Sequence, residues 1–232
     1  MKKSLVSVIL PVYNEEAIIR NNLKVLSAVM ESTGQDYEII ISEDGSTDKT
    51  VEVARRLVSE KVRLLHSPNR LGKGAAIRNA ASEARGEVIL FMDADLASNP
   101  SKVAEMLELI GKGADIVIGS RYHRDSKIKR SPIRYAASRT FNLLVNIALG
   151  SKLTDHQCGF KAFRKGPAVE VVGLVREKGW FWDTEFLVRA QRKGLKVVEI
   201  PLEWKESPNS KFNLVSDSAK MFESLVRFGI NG

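Results

Sequence analysis

The sequence predicts an α/β fold with a doubly wound, mostly parallel sheet, and three observations predict it. Short β-branched runs alternate with segments of helical period through the first half of the chain. Those runs are apolar almost throughout, as strands covered on both faces must be. The 232 residues, 44% hydrophobic and 28% charged, can bury one sizeable core, and the length favours a single domain.

Strands are expected at residues 5–10, 37–42, 62–66, 88–92 and 116–118. Helices are expected between them at 15–32, 47–59, 73–85 and 99–111, opened by capping chemistry such as Ser46-Thr47-Asp48 and Asn99-Pro100. Strand, helix and strand in succession require right-handed crossovers. The second half is less regular. A basic loop runs to about 131, followed by a helix opened by Ser131-Pro132, a strand at 160–163, a helix at 184–193 and a strand at 197–204. Residues 1–212 are read as the main domain and 213–232 as an amphipathic C-terminal helix. Its Val215, Ala219, Phe222 and Val226 share one stripe, flanked by Leu214 and Leu225, and this stripe should dock on something apolar. No internal repeat, low-complexity tract or linker argues for a second domain.

A single cysteine, Cys158, excludes an intramolecular disulfide and a Cys-rich zinc site, so a reducing, cytoplasmic setting is the default expectation. No run approaches the ~20 apolar residues a spanning helix needs, and Met1-Lys2-Lys3 leads into a β-like run rather than a signal peptide. The chain is therefore expected not to be integral to a membrane. A net charge of +8 calls for an anionic partner: nucleic acid, a lipid surface or a phosphorylated substrate. The charge is local, since Arg121, His123, Arg124, Lys127, Lys129, Arg130, Arg134 and Arg139 are opposed only by Asp125. A nucleic-acid module is the non-enzymatic rival, but nucleic acid is not the expected partner: only Tyr122 and Tyr135 interleave with the basic run.

Ligands of an open parallel sheet bind beyond the carboxyl ends of its strands. Here those ends are acidic: Pro11-Val12-Tyr13-Asn14-Glu15-Glu16, Glu43-Asp44-Gly45-Ser46-Thr47-Asp48 and Asp93-Ala94-Asp95. Gathered carboxylates repel unless a cation joins them, and Asp93 with Asp95 offers oxygen ligands to Mg²⁺ or Mn²⁺. Substrate phosphates and water normally complete such an ion, which points to a diphosphate-bearing substrate. The plainer alternative makes these acids helix caps and solvated loop residues. Asp44 likewise either shapes a turn or accepts hydrogen bonds from a base or ribose. Gly72-Lys73-Gly74 lacks the spacing of a phosphate-binding P-loop and comes after the third strand, so a P-loop NTPase is rejected.

Pro11-Val12-Tyr13-Asn14-Glu15, Asp44-Gly45-Ser46-Thr47-Asp48, Gly72-Lys73-Gly74, Asp93-Ala94-Asp95 and Gly119-Ser120-Arg121 occur in an order that resembles the family-two glycosyltransferases. Asp155-His156-Gln157-Cys158-Gly159-Phe160-Lys161, Trp182-Asp183-Thr184-Glu185 and Ser210-Lys211 look like its polyprenyl-phosphate hexosyltransferases, the dolichyl-phosphate glucosyltransferase and mannose synthase group. The Gln-Cys-Gly-Phe-Lys segment leans toward the glucosyl branch. The resemblance implies a GT-A, Rossmann-like fold, inverting transfer, and a metal held by Asp93 and Asp95 on the donor diphosphate. It implies donor-nucleotide contacts from Pro11, Tyr13, Glu15, Asp44, Lys73 and Lys211, with Gln157 and Glu185 in the donor and acceptor pocket. Glu43 departs from the aspartate common in the family, which leaves UDP-glucose, the favoured donor, against GDP-mannose. Many relatives also carry transmembrane helices after the point where this tail ends.

A phosphate monoester, with a second pKa near ~6, is largely dianionic at neutral pH and needs no general base. The acceptor clamp is assigned to Arg121 with Arg134 and Ser138, which lie four apart on one helical face and match the lipid-phosphate contacts of the mannose synthases; the alternative is a solvated basic face. Asp183 is either an N-cap or an active-site acid that orients donor or acceptor. In the rival enzymatic reading, a transferase acting on a glycan or glycolipid hydroxyl, it would be the base. His66, His123 and His156 lack metal-ligand spacing and are read as packing or surface residues. Ile133, Ala137, Phe141, Leu144 and Ala148 form a stripe that is either core or, beside so many cations, a bilayer-interface face. Peripheral attachment to an anionic membrane at its cytosolic side is the expectation.

Overall fold

The computed structural model describes residues 4–206 and 211–231. Met1-Lys2-Lys3 and Ser210 of the Ser210-Lys211 motif lie outside the described residues. The main sheet is formed by β1 (Leu5–Val12), β2 (Asp36–Asp44), β3 (Val62–Ser67), β4 (Val88–Met92), β5 (Ile116–Ser120), β7 (Phe160–Arg164) and β8 (Val197–Pro201). Its order is β3-β2-β1-β4-β7-β5-β8, and β7 alone runs antiparallel to its neighbours. The β1–β2 register carries Leu5 opposite Asp36 through Val12 opposite Glu43. The carboxyl ends of β1, β2 and β4 therefore open on one edge, where the acidic motifs sit.

The helices α1 (Ile19–Ser32) and α4 (Val103–Gly111) cover one face and α3 (Lys73–Glu83), α6 (Lys165–Leu174) and α7 (Trp182–Arg192) the other. Strand alternation divides the core accordingly: Val6, Val8 and Leu10 enter one layer and Ile9, Ile40 and Phe91 the other. Asn99 accepts from the Ser101 N–H (3.0 Å) to open a 3₁₀ turn, Pro100–Lys102, ahead of α4. Ser46 and Thr47 do not cap α2 (Thr50–Arg55). They bind Asn14 instead, and Asp48 accepts the Thr50 N–H (2.9 Å). Gly166, Pro167 and Gly173 hide α6 from a reading of the sequence, yet Pro167 falls in the first turn, where its missing N–H costs nothing.

The expected strand at 197–204 divides after Pro201. β8 is an edge strand, where proline is tolerated, and the chain then leaves it to pair β9 (Glu203–Lys205) with β6 (Lys127–Lys129) inside the basic loop.

α8 (Leu214–Asn231) corrects an expectation about its apolar face, and α5 (Pro132–Leu149) speaks against the core alternative for its own. The α8 stripe expected to dock is the outward one, with Val215 80% and Phe222 52% exposed. The adjacent stripe of Met221, Leu225 and Phe228 is buried, Leu225 and Phe228 packing with Val145, Leu149, Phe181 and Val188. α5 likewise buries Ser138, Asn142, Val145 and Leu149, leaving Ile133 and Leu144 of the expected stripe exposed. Asn142 can be buried because its side-chain oxygen receives His156 N–H (2.9 Å).

Candidate active site

The three acidic strand ends meet in a cavity of about 420 Å³. At the end of β1, Asn14 adopts φ +54°, a left-handed conformation that Asn tolerates, held there by Ser46 Oγ on its N–H (2.9 Å) and Thr47 N–H on its side-chain oxygen (2.8 Å). Tyr13 carries the Arg70 guanidinium 3.9 Å from its ring centroid. The Glu15 carboxyl is pushed up to about 7, chiefly by burial, with the charges of Asp95, Asp48 and Asp93 adding to it and Lys211 opposing.

Asp44 lines the cavity but spends both carboxylate oxygens on the following loop, accepting the Leu71 (2.7 Å) and Gly72 (2.9 Å) N–H groups. It thus fixes the loop that carries Arg70 and opens α3. Glu43 turns away to His66 Nδ1 and the Ser46 N–H, each at 2.5 Å, so its extra methylene is absorbed outside the cavity. Burial alone would raise its carboxyl, yet the hydrogen bonds from Ser46 and His66 hold it low.

Asp93 and Asp95 come directly after β4, with Leu96 in a left-handed turn at φ +49°. Asp93 donates its N–H to Gly159 O (3.0 Å) and lays its carboxylate over the Gly159 Cα, where any side chain would collide with it. Lys73 Nζ is 2.7 Å from Asp93 and 3.7 Å from Asp183. Beneath Asp183 lies Lys161, wholly buried and ion-paired with it. Asp93, Lys73, Asp183 and Lys161 therefore form a ladder of alternating charge from the cavity into the core. Burial lowers the Lys73 ammonium, but Asp93 and Asp183 more than reverse that and hold it charged. Asp183 lies inside the first turn of α7 and does not cap it, which corrects the N-cap alternative.

Among the described residues no three His, Cys, Asp or Glu side chains are grouped so as to enclose a metal. Asp93 and Asp95 nonetheless face the cavity as a pair of hard oxygen donors, which fits an ion completed by diphosphate oxygens and water.

The basic wall departs from its expected form. Arg121 lines the cavity but is buried and forked onto Asp155, Nε to Oδ2 (2.7 Å) and Nη2 to Oδ1 (2.8 Å), so it is an anchored cation already paired with a carboxylate. Arg134 and Ser138 do share the cavity face of α5, Arg134 with Glu206 (3.2 Å) and Phe212 O (3.3 Å). Gln157 and Lys211 also line the cavity. Glu185 does not. It is buried, accepts the Arg176 (3.1 Å) and Glu177 (2.9 Å) N–H groups and Arg189 Nε (2.8 Å), and so ties the loop after α6 to α7.

Sequence reasoning missed Arg70, Trp180, Trp204 and Arg130 in the lining and Lys161 beneath it. His156, read as a packing residue, is buried against Asn142 and Ser151, and burial pushes it down to about 4. From the basic wall the cavity runs between α5 and α8 past Phe141, Leu144, Met221 and Phe222.

The family model "Glycosyl transferase family 2" matches residues 7–171. The chain is 40% identical over 227 residues to the glycosyltransferase AglD of Haloferax volcanii, covering 96% of this chain but 36% of that protein. It is 36% identical over 242 residues to a dolichyl-phosphate beta-glucosyltransferase of Saccharomyces cerevisiae, covering 95% of this chain and 72% of the relative. Its fold matches glucosyl-3-phosphoglycerate synthase of Mycobacterium tuberculosis, solved with Mn²⁺, UDP and glucosyl-3-phosphoglycerate, at a TM-score of 0.73 and 20% identity, over 97% of this chain and 80% of that one. That likeness establishes the GT-A architecture, while the family match and the yeast relative establish kinship: the chain belongs to the family-two glycosyltransferases.

Proposed function

We propose that this protein transfers glucose from UDP-glucose, with inversion, to dolichyl phosphate or a related polyprenyl phosphate. The observation that carries the reading is the polarity of one continuous cavity. Carboxylates at the ends of β1, β2 and β4 line one part of it, Arg121, Arg130 and Arg134 another, and apolar residues of α5 and α8 a third. A nucleoside diphosphate sugar suits the first part, a phosphate the second and a polyprenyl chain the third. The yeast relative's name supports the acceptor and sugar, and the UDP bound by the mycobacterial synthase supports the nucleotide.

In this mechanism Asp93 and Asp95 are the residues that would hold Mg²⁺ or Mn²⁺, and such an ion would neutralise charge on the departing diphosphate. Pro11, Tyr13 and Glu15 seat the nucleoside, and Asp44 positions the neighbouring loop. Lys73, held between Asp93 and Asp183, supplies a fixed cation beside the diphosphate. Asp183, engaged by two lysines, orients Lys73 and is not the proton acceptor. A dianionic phosphate acceptor needs none, so catalysis reduces to aligning its oxygen behind the anomeric carbon.

The deciding assay uses radiolabelled UDP-glucose and GDP-mannose, each with and without Mn²⁺, and detergent-dispersed polyprenyl phosphate. Metal-dependent label from UDP-glucose in the organic extract is the expected result. Label from GDP-mannose alone would change the donor, and transfer only to a glycan hydroxyl would refute the acceptor.

No described helix is long and apolar enough to cross a membrane. Attachment is assigned to the outward faces of α5 and α8, where Ile133, Ile147, Val215 and Phe222 are exposed near the basic run. Clustered cations near anionic headgroups contribute roughly 1 kcal/mol each. The protein is expected to float with anionic liposomes at the cytosolic type of surface charge, and Phe222→Glu with Ile147→Glu to weaken flotation severalfold; unchanged flotation would exclude these faces.

A further inference from the structure

The cavity holds several cations, and most are already engaged by protein groups. Lys73 pairs with Asp93, Arg121 with Asp155 and Arg134 with Glu206. Arg70 stacks on Tyr13, and Lys211 acts on Glu15 at the donor end. Arg130 differs from all of these. Among the described residues it forms no ion pair; its Nη1 donates to Ser138 Oγ (2.7 Å), and its buried Nε has no hydrogen-bond partner. The nearby Glu206 carboxylate is occupied, receiving Arg134 (3.2 Å) and the Ser131 N–H (3.1 Å).

The Arg130 side chain is half-buried, and a charged group in that position is stabilised when an anion pairs with it. Burial and the neighbouring Arg121 charge lower the Arg130 guanidinium's hold on its proton, and Glu206 and Asp155 offset this only in part. The side chain is nevertheless held in place. Lys129 pairs with Lys205 immediately before it, the Glu206 N–H binds Lys129 O (3.0 Å), and the guanidinium lies 5.3 Å from the Trp204 ring centroid. It faces the same cavity as Arg134 and Ser138.

We propose that Arg130 is a further ligand of the acceptor phosphate, its guanidinium fork taking phosphate oxygens beside Ser138 in the cavity that Arg121 and Arg134 also line. The inference rests on the reading of a phosphorylated acceptor. Sequence alone places Arg130 merely outside the helix that begins at Pro132, and only the return of β9 beside β6 brings it to the cavity.

The test measures acceptor and donor KM separately for the wild type, Arg130→Gln, Arg130→Lys and Arg124→Gln, using detergent-dispersed polyprenyl phosphate. Arg124 is the control, with its side chain 89% exposed on the same basic run. Arg130→Gln should raise acceptor KM roughly 10- to 100-fold, as loss of a charge-assisted contact does, and leave donor KM within about twofold. Arg130→Lys, which keeps the charge but loses the fork, should recover part of this, and Arg124→Gln should match the wild type. Acceptor KM within about twofold of wild type in Arg130→Gln overturns the proposal. If that variant does not fold, an unchanged acceptor KM in Arg130→Lys overturns it equally. A wild type that glucosylates only hydroxyl acceptors would overturn the acceptor reading itself, and this inference with it.

Discussion

Asp95→Ala is expected to abolish transfer, lowering kcat/KM by about 10³-fold or more, while the protein stays folded. The size of the loss reflects the work of two carboxylates at this edge. A divalent cation held by these carboxylates would stabilise the departing diphosphate by several kcal/mol, and each ~1.4 kcal/mol is a factor of ten in rate. With one carboxylate gone, Asp93 alone remains, and Lys73 already sits 2.7 Å from it. Stability should change little, because the hydrogen bond that the Asp95 carboxylate accepts from the Ala97 N–H (3.0 Å) contributes about 1 kcal/mol. The check is calorimetric titration of UDP with and without Mn²⁺, alongside thermal melting. Wild-type protein should bind UDP more tightly with Mn²⁺, and Asp95→Ala should lose that increment. Retention of Mn²⁺-dependent binding would remove Asp95 from the proposed ion site.

The acidic edge was legible because parallel strands announce themselves as apolar runs, and the residues immediately after each run must emerge at the same side of the sheet. That argument alone puts Glu15, Asp44, Asp93 and Asp95 on the cavity, where the structure also has them. The sequence concealed the partners that decide what each charge is free to do. Arg121 reads as an available cation until Asp155, 34 residues later, is seen to fork with it. Asp44 reads as a nucleotide ligand until both its oxygens are found on the Leu71 and Gly72 amides. The same limit applies to surfaces. α8 carries two neighbouring apolar stripes, and helical period cannot say which meets Phe181 and Val145 and which meets solvent. Glu185 lies two residues from Asp183 in sequence, but on a helix that separation turns the side chain toward the α6 loop instead of the cavity.

Lys161→Met should lower stability by about 3–5 kcal/mol, a fall in Tm of roughly 6–20 °C for a chain of this size. Lys161 is fully buried on β7 and ion-paired with Asp183, which is itself only 2% exposed. Methionine nearly preserves the stem volume, so packing loss is small and the cost is that of a buried carboxylate deprived of its closest cation. Lys73 at 3.7 Å would compensate in part, which favours the lower end of the range. That compensation also predicts a functional effect, because Lys73 drawn toward Asp183 is drawn from Asp93 at the cavity floor. Pairing Lys161→Met with Asp183→Leu separates the two effects. Removing both charges should restore much of the lost stability, since a buried ion pair replaced by apolar groups is often neutral. Turnover should stay low, because Lys73 then lacks the partner that fixes its position. A Lys161→Met protein melting like the wild type would show that Asp183 does not depend on the buried lysine. A double variant that regained both stability and turnover would show that the charge ladder serves only the fold.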